Sequence, residues 1–421
     1  MTERVDVLVV GAGLAGLAAG ATAARAGCDV MVVDSRVAGG RARSVERDGY
    51  VLNEGAHALY RSGPGAAVLR ELGVPVTGGS PPIERYHTWW DGELHPLPLT
   101  ATALVSTRLL GARSKVTAGR LLGRLERIAR DLGPDDARIT LGEWLERTGA
   151  RPDLQKLLAV VVRLSSYSAD PLGKPADAML RQLALAAGGV DYIDGGWQRL
   201  VDGLQAAAAA AGARIVTGEA VSALERDGAD WVATTAGRSV AAPSVVLAAG
   251  GPAVAEELVG RPVGWVDAAG PQLRAACLDV GVTERPPVSF LFSADDPLYL
   301  SEHAPTAALS PAGHHLFCLL RYLHVGERLD RDAARAELDG HAARAGVAPR
   351  GVRVLDRFLA APVVSWGSPV VGVARPRGDE LAHEGIHVAG DWVGSSLLAD
   401  AALGSGAVAG RAAARRHATV V

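Results

Sequence analysis

The pattern of apolar positions at the start of the chain predicts a strand, a helix and a second strand. Residues Val5–Val10 form an uninterrupted apolar run that is typical of a strand. Small and apolar residues then extend over a predicted helix, Leu14–Ala26, which ends at Gly27. The next apolar run, CDVMVVD, ends at Asp34 and predicts the second strand. This βαβ order is typical of an α/β fold with a parallel sheet.

Farther along the chain, the apolar spacing becomes helical. Over Arg113–Gly133, apolar residues recur on one side of a predicted helix, at Leu121, Leu125, Ile128 and Leu132. The other side carries Arg120, Arg124, Arg127 and Arg130. A basic amphipathic helix can lie on a membrane, but we favour a solvated face, which Glu126 and Asp131 partly neutralise.

Further helices and strands follow from local signals. Thr140 and Glu143 have the spacing of a capping box, so a helix should begin there. Residues 158–171 and 175–189 predict two more helices, whereas turn signals at Asp227-Gly228 and Ala236-Gly237 separate short strands. From about residue 265 to 370 the pattern is β-rich.

Composition excludes several classes of function. The chain has 421 residues, 48% of them hydrophobic, and a formal net charge of -3. This balance does not indicate a nucleic-acid partner, which requires a concentrated basic face. The three cysteines lack the spacing of a disulfide framework or a metal site, so we expect no metal and a reducing, cytoplasmic location. We expect no secretory signal at the start of this sequence, and no apolar run of about 18 residues predicts a membrane span.

The residues between the two N-terminal strands predict a dinucleotide site. Gly11 permits a tight turn, Gly13 lets backbone N–H groups approach a diphosphate, and Gly16 allows the helix to pack closely. The diphosphate then faces the start of the helix at Leu14 and Ala15. Asp34 lies roughly 20 residues farther on, where an acid accepts hydrogen bonds from ribose and repels the additional phosphate of NADP. These residues alone do not separate NAD from FAD.

The segment after Asp34 carries a family resemblance. Residues 35–44, SRVAGGRARS, resemble the segment with an acid followed by GGR in the flavin amine oxidase, protoporphyrinogen oxidase and phytoene desaturase superfamily. The resemblance implies that Gly39, Gly40 and Arg41 lie against the FAD diphosphate and ribityl chain, with Ser35 nearby. Residues 50–60, YVLNEGAHALY, resemble the family's turn beside the flavin ring, which implies flavin contacts for Gly55, Ala56, His57 and Ala58.

The other end of the chain resembles the same family. Residues 385–394, GIHVAGDWVG, are similar to its strand that ends in Gly-Asp, which implies that Gly390 and Asp391 bind the ribityl hydroxyls. Residues 395–416 resemble the final helix, whose N-terminus points at the flavin. The resemblance also implies that the backbone of Val221 meets the adenine.

The resemblance implies a fold and a domain organisation. We expect an α/β protein with a discontinuous, Rossmann-like FAD-binding domain of the GR2 type and an α+β substrate-binding domain. The FAD-binding domain is predicted to comprise 1–90, 185–265 and 370–421, and the substrate-binding domain 91–184 and 266–369. No cysteine matches the attachment site of covalent relatives, so the expected cofactor is noncovalent FAD.

The predicted function is removal of a hydride from a small, apolar or aromatic organic substrate by an FAD-dependent dehydrogenase, desaturase or oxidase. Residues 161–171, VVRLSSYSADP, resemble phytoene-dehydrogenase-like oxidoreductases, and no lysine matches the flavin-side lysine of many amine oxidases. The sequence names no catalytic residue, electron acceptor or oligomeric state. Two alternatives stay open: a flavin amine oxidase that releases hydrogen peroxide, and a non-catalytic binding protein like the Rab GDP-dissociation inhibitors. A third, an NAD-only dehydrogenase, fails to explain the Gly390-Asp391 segment.

Overall fold

The N-terminal part of the chain contains the predicted βαβ unit. The computed structural model describes residues 2–420. Up to residue 100 its strands and helices are β1 Thr2–Arg4, β2 Val7–Val10, α1 Leu14–Arg25, β3 Val30–Asp34, β4 Ser44–Arg47, β5 Tyr50–Asn53, β6 Leu59–Tyr60, α2 Pro64–Glu71, β7 Gly78–Gly79, β8 Tyr86–Trp90 and β9 Glu93–Pro96. The two predicted strands and the helix between them are confirmed to within two residues.

The next part is helical, as the apolar spacing predicts. Its helices are α3 Ala101–Ser106, α4 Ala112–Leu122, α5 Leu125–Asp131, α6 Leu141–Arg147, α7 Pro152–Ser166 and α8 Ala176–Ala187. The capping box at the start of α6 is confirmed, because Glu143 N donates to Thr140 Oγ1 and Thr140 N donates to the Glu143 carboxylate. The prediction of a single helix over 113–133 is wrong in one respect. The segment forms two helices, α4 and α5, because the chain turns at Gly123.

The third part returns to the βαβ pattern. It contains β10 Val190–Ile193, α9 Gln198–Ala210, β11 Arg214–Thr217, β12 Ala223–Asp227, β13 Asp230–Thr234, β14 Ser239–Ala242, β15 Ser244–Leu247, α10 Pro252–Val259 and α11 Trp265–Ala269. Both predicted turns are confirmed, because β12, β13 and β14 pair as antiparallel neighbours.

The last part contains the predicted β-rich region. Its elements are β16 Leu273–Val282, β17 Phe290–Ser293, β18 Leu298–Ala304, β19 His315–Tyr322, α12 Arg331–Arg344, β20 Leu355–Leu359, β21 Val363–Ser365, β22 Ile386–Val388 and α13 Leu398–Val420. The β-rich prediction missed α12, whose apolar contacts are mostly alanines and therefore give a weak periodic signal.

A five-stranded parallel sheet gathers strands from distant parts of the chain. Its order is β11-β3-β2-β15-β22, so the carboxyl ends of all five strands lie at one edge. Val7 and Val9 pack on the side of α1, α9 and α13, whereas Leu8 and Val10 pack on the side of α11 and Trp265. Burial on both sides explains why these strands are apolar without alternation.

Helices α1 and α13 pack unusually closely because small residues lie between them. A Cβ at Gly406 would come within 2.2 Å of Ala15 O, and a Cβ at Gly410 within 2.4 Å of Ala19 O. These contacts align the final helix with the first one, so both begin near the carboxyl edge of the parallel sheet.

An eight-stranded sheet forms the second large layer. Its order is β20-β16-β19-β18-β17-β8-β9, with β21 also paired to β16. Alternate residues of β16 lie on opposite faces: Cys277 belongs to the core that includes α7 and α8, and Leu278 to the core under α12. Smaller sheets, β1-β14-β13-β12, β6-β10-β7 and β4-β5, complete the fold. Within residues 2–420, no helix is long and apolar enough to span a membrane.

Candidate functional site

The glycine turn after β2 lies at the carboxyl edge of the parallel sheet. Gly11 has a φ of 109°, and a Cβ there would come within 2.7 Å of Ala248 C. A Cβ at Gly16 would lie 1.8 Å from Gly11 O, so only glycine lets α1 begin this close to the turn. At Gly13, by contrast, a Cβ would meet open space within the described structure. The turn therefore leaves an open face beside the first N–H groups of α1, those of Leu14 and Ala15.

Asp34 ends β3 beside this turn. Its Oδ2 accepts a hydrogen bond from Ala12 N at 2.7 Å, and its Oδ1 accepts one from Arg36 N at 2.8 Å. Each carboxylate oxygen has a further lone pair, so Asp34 can also accept hydrogen bonds from a ligand. Glu219 N donates to Asp34 O at 3.0 Å, and this bond brings the segment that contains Val221 to the same edge of the sheet. Val221 itself is half-buried there. Their contacts with a nucleotide stay a prediction.

The second glycine segment lies directly against the first. Gly39 N donates to Ala12 O at 2.8 Å, and Gly39 forms a parallel bridge with Gly13. A Cβ at Gly40 would lie 3.7 Å from Gly13 Cα. Ser35, in the connection from β3, is exposed to solvent. The structure thus brings the two glycine segments of the predicted site together on one surface.

Arg41 joins this N-terminal surface to the C-terminal part of the chain. Its Nη1 donates to Asp391 Oδ2 at 2.7 Å and to Val364 O at 3.1 Å. Trp366 N donates to the same Asp391 oxygen at 3.1 Å, and Arg41 Cζ lies 5.9 Å from the centre of the Trp366 ring. The Asp391 side chain is 3% exposed and that of Arg41 is 38% exposed. The two ends of the chain that were expected to converge do so through an ion pair.

The other oxygen of Asp391 has no hydrogen-bond donor. Asp391 Oδ1 is buried and has no partner within the described residues. Leaving a buried carboxylate oxygen without a donor is unfavourable, so this atom suits a hydroxyl donor of a bound molecule. Gly390 N donates to Ser405 Oγ of α13 at 2.9 Å, which fixes the end of the strand against the final helix.

Comparison with known proteins shows which family has this arrangement. The model of the family described as flavin containing amine oxidoreductase matches residues 14–276, more than half of the chain. The chain belongs to this family. The family is described as flavin containing, which agrees with the predicted FAD cofactor. A flavin-containing family does not agree with an NAD-only dehydrogenase.

Individual relatives agree with the family. A Mycobacterium tuberculosis protein named as a flavin-containing monoamine oxidase (AofH) is 32% identical over 272 residues, 58% of this chain and 56% of that protein. The match therefore spans little more than half the length of that relative. An oxidoreductase structure from Methanosarcina mazei has a TM-score of 0.74 at 20% identity over 94% of this chain and 98% of its own. Cyclohexylamine oxidase from Brevibacterium oxydans has a TM-score of 0.71 at 17% identity over 99% of each chain. These structures show that the mixed α/β fold is shared.

The described residues fit the family's cofactor. The open face at Gly13, beside the N-terminus of α1, suits a diphosphate because free N–H groups and the helix dipole both favour negative charge. The unpartnered Asp391 Oδ1 suits a sugar-like hydroxyl. Which atom of FAD each residue meets stays a prediction.

The turn Gly55–Ala58 lies between strand β16 of the eight-stranded sheet and Trp197, which belongs to the core on one side of the parallel sheet. Gly55 has a φ of 114°, and a Cβ there would lie 3.5 Å from Cys277 Sγ on β16. His57 Nδ1 lies 2.9 Å from Gly55 O, so Nδ1 carries the proton because a carbonyl can only accept. The His57 ring lies 4.9 Å from that of Trp197, and burial lowers the pKa of His57. His57 is therefore a neutral ring at the boundary between the layers.

Tyr167 contacts this turn, a role that sequence reasoning missed. It ends α7 with a φ of 58°, and its hydroxyl donates to Ala56 O at 2.5 Å. Its ring also makes an edge contact with the ring of Tyr322, with the centroids 5.9 Å apart. The sequence drew attention to residues 161–171 only through a resemblance, because no local pattern reveals a contact across 111 residues.

Tyr167 belongs to a largely buried cluster, here called the aromatic wall: Tyr60, Tyr167, Tyr192, Tyr299, His303 and Tyr322. Tyr192 stacks on His303 with ring centroids 4.0 Å apart. Burial lowers the pKa of His303 to about 3, with a smaller effect from His57, and burial raises the pKa of Tyr192 to about 12. His303 Nε2 and Tyr322 Oη are buried without a partner in the described structure. The wall is therefore uncharged at neutral pH but retains polar atoms able to bind a ligand.

Arg375 and Asp400 make hydrogen bonds near the start of α13, and no sequence motif pointed to either residue. Arg375 donates to Asp391 O at 2.6 Å and to Ser396 O, and burial lowers its pKa to about 10. Asp400 Oδ1 accepts from Gly65 N of α2 at 2.7 Å, and burial raises the pKa of this carboxyl to about 6. Both side chains tie the start of the final helix to the rest of the site.

Proposed function

We propose that the protein is an FAD-dependent oxidoreductase that removes a hydride from a small, uncharged organic substrate of apolar or aromatic character. We further propose that the cofactor domain is the discontinuous, GR2-type Rossmann-like unit of residues 1–90, 185–265 and 370–421, and that FAD is held noncovalently. Residues 91–184 and 266–369 would then provide the substrate-binding part. The order of the parallel sheet, with strands from all three stretches of the proposed cofactor domain, supports this division.

The observation that carries the proposal is the pairing of Arg41 with Asp391, which leaves Asp391 Oδ1 buried and available. We propose that the N–H groups of Leu14 and Ala15 bind the FAD diphosphate and that Asp34 binds the ribose. Asp391 Oδ1 would accept a hydrogen bond from the ribityl chain. Bound FAD supplies the two-electron acceptor for oxidation of the substrate.

The aromatic wall supports an uncharged substrate. Burial keeps its histidine and tyrosines neutral at neutral pH, so the side chains of the wall carry no charge of their own to attract a cation. The orphaned His303 Nε2 and Tyr322 Oη can accept or donate one hydrogen bond each, so they suit a neutral polar group on an otherwise apolar molecule. Because the pKa of His303 is about 3, this ring is a poor general base at neutral pH. A reaction that needs no strong base at this wall is therefore favoured.

The lysines support the same choice. Lys156 Nζ lies 2.7 Å from Asp91 Oδ1 and 2.8 Å from Asp295 Oδ1, and Lys115 Nζ donates to Val105 O at 2.6 Å. Both ammonium groups are thus engaged by partners within the proposed substrate-binding part of the chain. The third lysine, Lys174, follows α7 and is half-buried there.

Anaerobic reduction of the bound flavin tests the proposal. The purified holoprotein is mixed without oxygen with neutral aromatic alcohols, carotenoid precursors, porphyrinogens or primary amines, and its visible absorbance is followed. We expect bleaching by one of the neutral classes. Bleaching by amines alone would contradict the proposed substrate class, and a preparation that cannot be loaded with FAD would contradict the cofactor assignment.

A second candidate is a flavin amine oxidase. It is favoured by the 32% identity over 272 residues to the Mycobacterium tuberculosis protein named as a monoamine oxidase. This candidate predicts release of hydrogen peroxide when amines are offered in air, with a rate that rises with pH as the substrate amine loses its proton. Peroxide release from an amine panel, compared with the neutral panel, decides between the two candidates.

A further inference from the structure

Helices α3–α5 and the residues beside them carry a concentration of unpaired positive charge. Between residues 99 and 131, six arginines are exposed: Arg108, Arg113, Arg120, Arg124, Arg127 and Arg130. None of their guanidinium groups has an ion-pair partner within residues 2–420, and the acids of this segment are Glu126 and Asp131. The whole chain has a net charge of -3, so this region is opposite in sign to the remainder of the protein.

Apolar side chains are exposed among these arginines. Val105 is 73% exposed, Val116 is 53% exposed, and Leu122 is 44% exposed. Lys115 Nζ donates to Val105 O, so the end of α3 is held beside the first turns of α4. Exposed apolar side chains scattered singly need no explanation, but a group of them in one basic segment indicates a binding surface.

The orientation of α4 places these groups on its outer side. Ser114 and Ala118 are each 1% exposed, and Ser114 Oγ donates to Asp153 Oδ1 of α7 at 2.6 Å, so this side of α4 faces the protein. A helix turns by about 100° per residue, which puts Val116, with Arg113 and Arg120, on the opposite side. We call the surface formed by the exposed side chains of Val105, Arg113, Val116, Arg120 and Arg124 the basic face.

We propose that the basic face docks on an anionic membrane surface. Unpaired arginines bind anionic headgroups, while the exposed side chains of Val105 and Val116 enter the boundary with the acyl chains. The sequence pattern favoured a solvated face, because Glu126 and Asp131 partly neutralise the arginines. The apolar stripe from Leu121 to Leu132 is half-buried or buried in the structure, but Val116 lies exposed on the arginine side of α4. An acidic protein surface would bind the arginines but offers no acyl-chain region for these side chains.

Co-sedimentation with lipid vesicles tests this proposal on the full FAD-loaded chain. We expect binding to vesicles of phosphatidylcholine with phosphatidylglycerol and little binding to vesicles of phosphatidylcholine alone. At about 1 M salt, where charges are screened beyond about 3 Å, the binding should largely disappear. Circular dichroism and flavin absorbance report whether each variant is folded.

The variants separate a specific face from general charge. Arg113→Gln/Arg120→Gln/Arg124→Gln is expected to weaken vesicle binding about a hundredfold, since each surface arginine contributes about fivefold. Val116→Asp should also weaken it. The matched control Arg70→Gln/Arg328→Gln/Arg350→Gln removes the same charge from exposed positions elsewhere and should bind as the unaltered protein does. Equal loss in the control would overturn the proposal, as would absence of binding to anionic vesicles. Binding to polyglutamate without binding to vesicles would identify an acidic protein surface as the partner instead.

Discussion

Replacement of Asp391 by asparagine is the sharpest perturbation of the proposed FAD site. Asp391→Asn keeps the size of the side chain and one carbonyl oxygen, but it removes the negative charge that Arg41 binds at 2.7 Å. The backbone N–H of Trp366 can still donate to the remaining oxygen. The variant therefore isolates the charge of Asp391 from its packing.

The expected magnitude follows from burial. Asp391 is buried, whereas Arg41 is 38% exposed and can recover water contacts when its partner is lost. The fold should therefore lose only about 1–2 kcal/mol of its free energy of unfolding. A hydrogen bond from FAD to a charged acceptor contributes about 1.5–3 kcal/mol. The dissociation constant for FAD should consequently rise about tenfold to a hundredfold.

Titration of the apoprotein with FAD measures this effect directly, by quenching of flavin fluorescence. Thermal unfolding without FAD reports the ion pair, and the additional stabilisation on adding FAD reports the cofactor contact. Asp135→Asn is the matched control, because its carboxylate is 98% exposed. If Asp391→Asn binds FAD as tightly as the unaltered protein, Asp391 does not contact the cofactor and the proposed site is wrong.

Three further predictions concern the supports of the site. Gly406→Val should separate α13 from α1 and cost about 1–3 kcal/mol in chemical denaturation, whereas Gly404→Ala, whose Cβ would lie at 3.5 Å from Pro64 Cβ, should cost far less. Tyr167→Phe should destabilise the protein by about 1 kcal/mol through the lost bond to Ala56 O, whereas Tyr322→Phe should be nearly neutral; equal effects would refute the difference. The folded pKa of Asp400 is about 6, above its ordinary value of 3.8, so its ionisation should reduce stability as pH rises from about 4 through 6. Asp400→Asn should remove this loss. Between pH 3 and pH 8, the free energy of unfolding of the variant should therefore rise relative to that of the unaltered protein by up to about 3 kcal/mol. Parallel curves of stability against pH for the two proteins would contradict this assignment.

Local sequence signals predicted the elements whose cause is local. The capping box of Thr140 and Glu143 starts α6 because both hydrogen bonds join residues three positions apart. The glycine turn after β2 is required by contacts within a few residues, such as the close approach of Gly16 to Gly11 O. In contrast, the helical spacing of apolar residues continued across Gly123, so it did not reveal the turn between α4 and α5. The same spacing also failed to predict the alanine-rich α12.

The residues of the candidate site likewise fall into those that local motifs identified and those that only the structure revealed. Motifs identified Asp34, Arg41 and Asp391, and the structure brings the glycine segments and the Arg41–Asp391 pair together. Tyr167 and Arg375 carried no motif, because their partners Ala56 O and Asp391 O are backbone atoms that any residue could supply. Sequence reasoning cannot find such contacts without knowing which segments approach one another.

The sequence by itself determined the βαβ start, the glycine turns and the family to which the chain belongs, because these depend on backbone geometry and on short spacings between residue types. Only the tertiary structure decided that Asp391 has one paired and one orphaned oxygen, and that the aromatic wall is uncharged. It also decided that Val116 lies exposed among arginines. The physical reason is that burial and pairing depend on what packs around a group, and in a chain folded from distant stretches those neighbours are not adjacent in sequence.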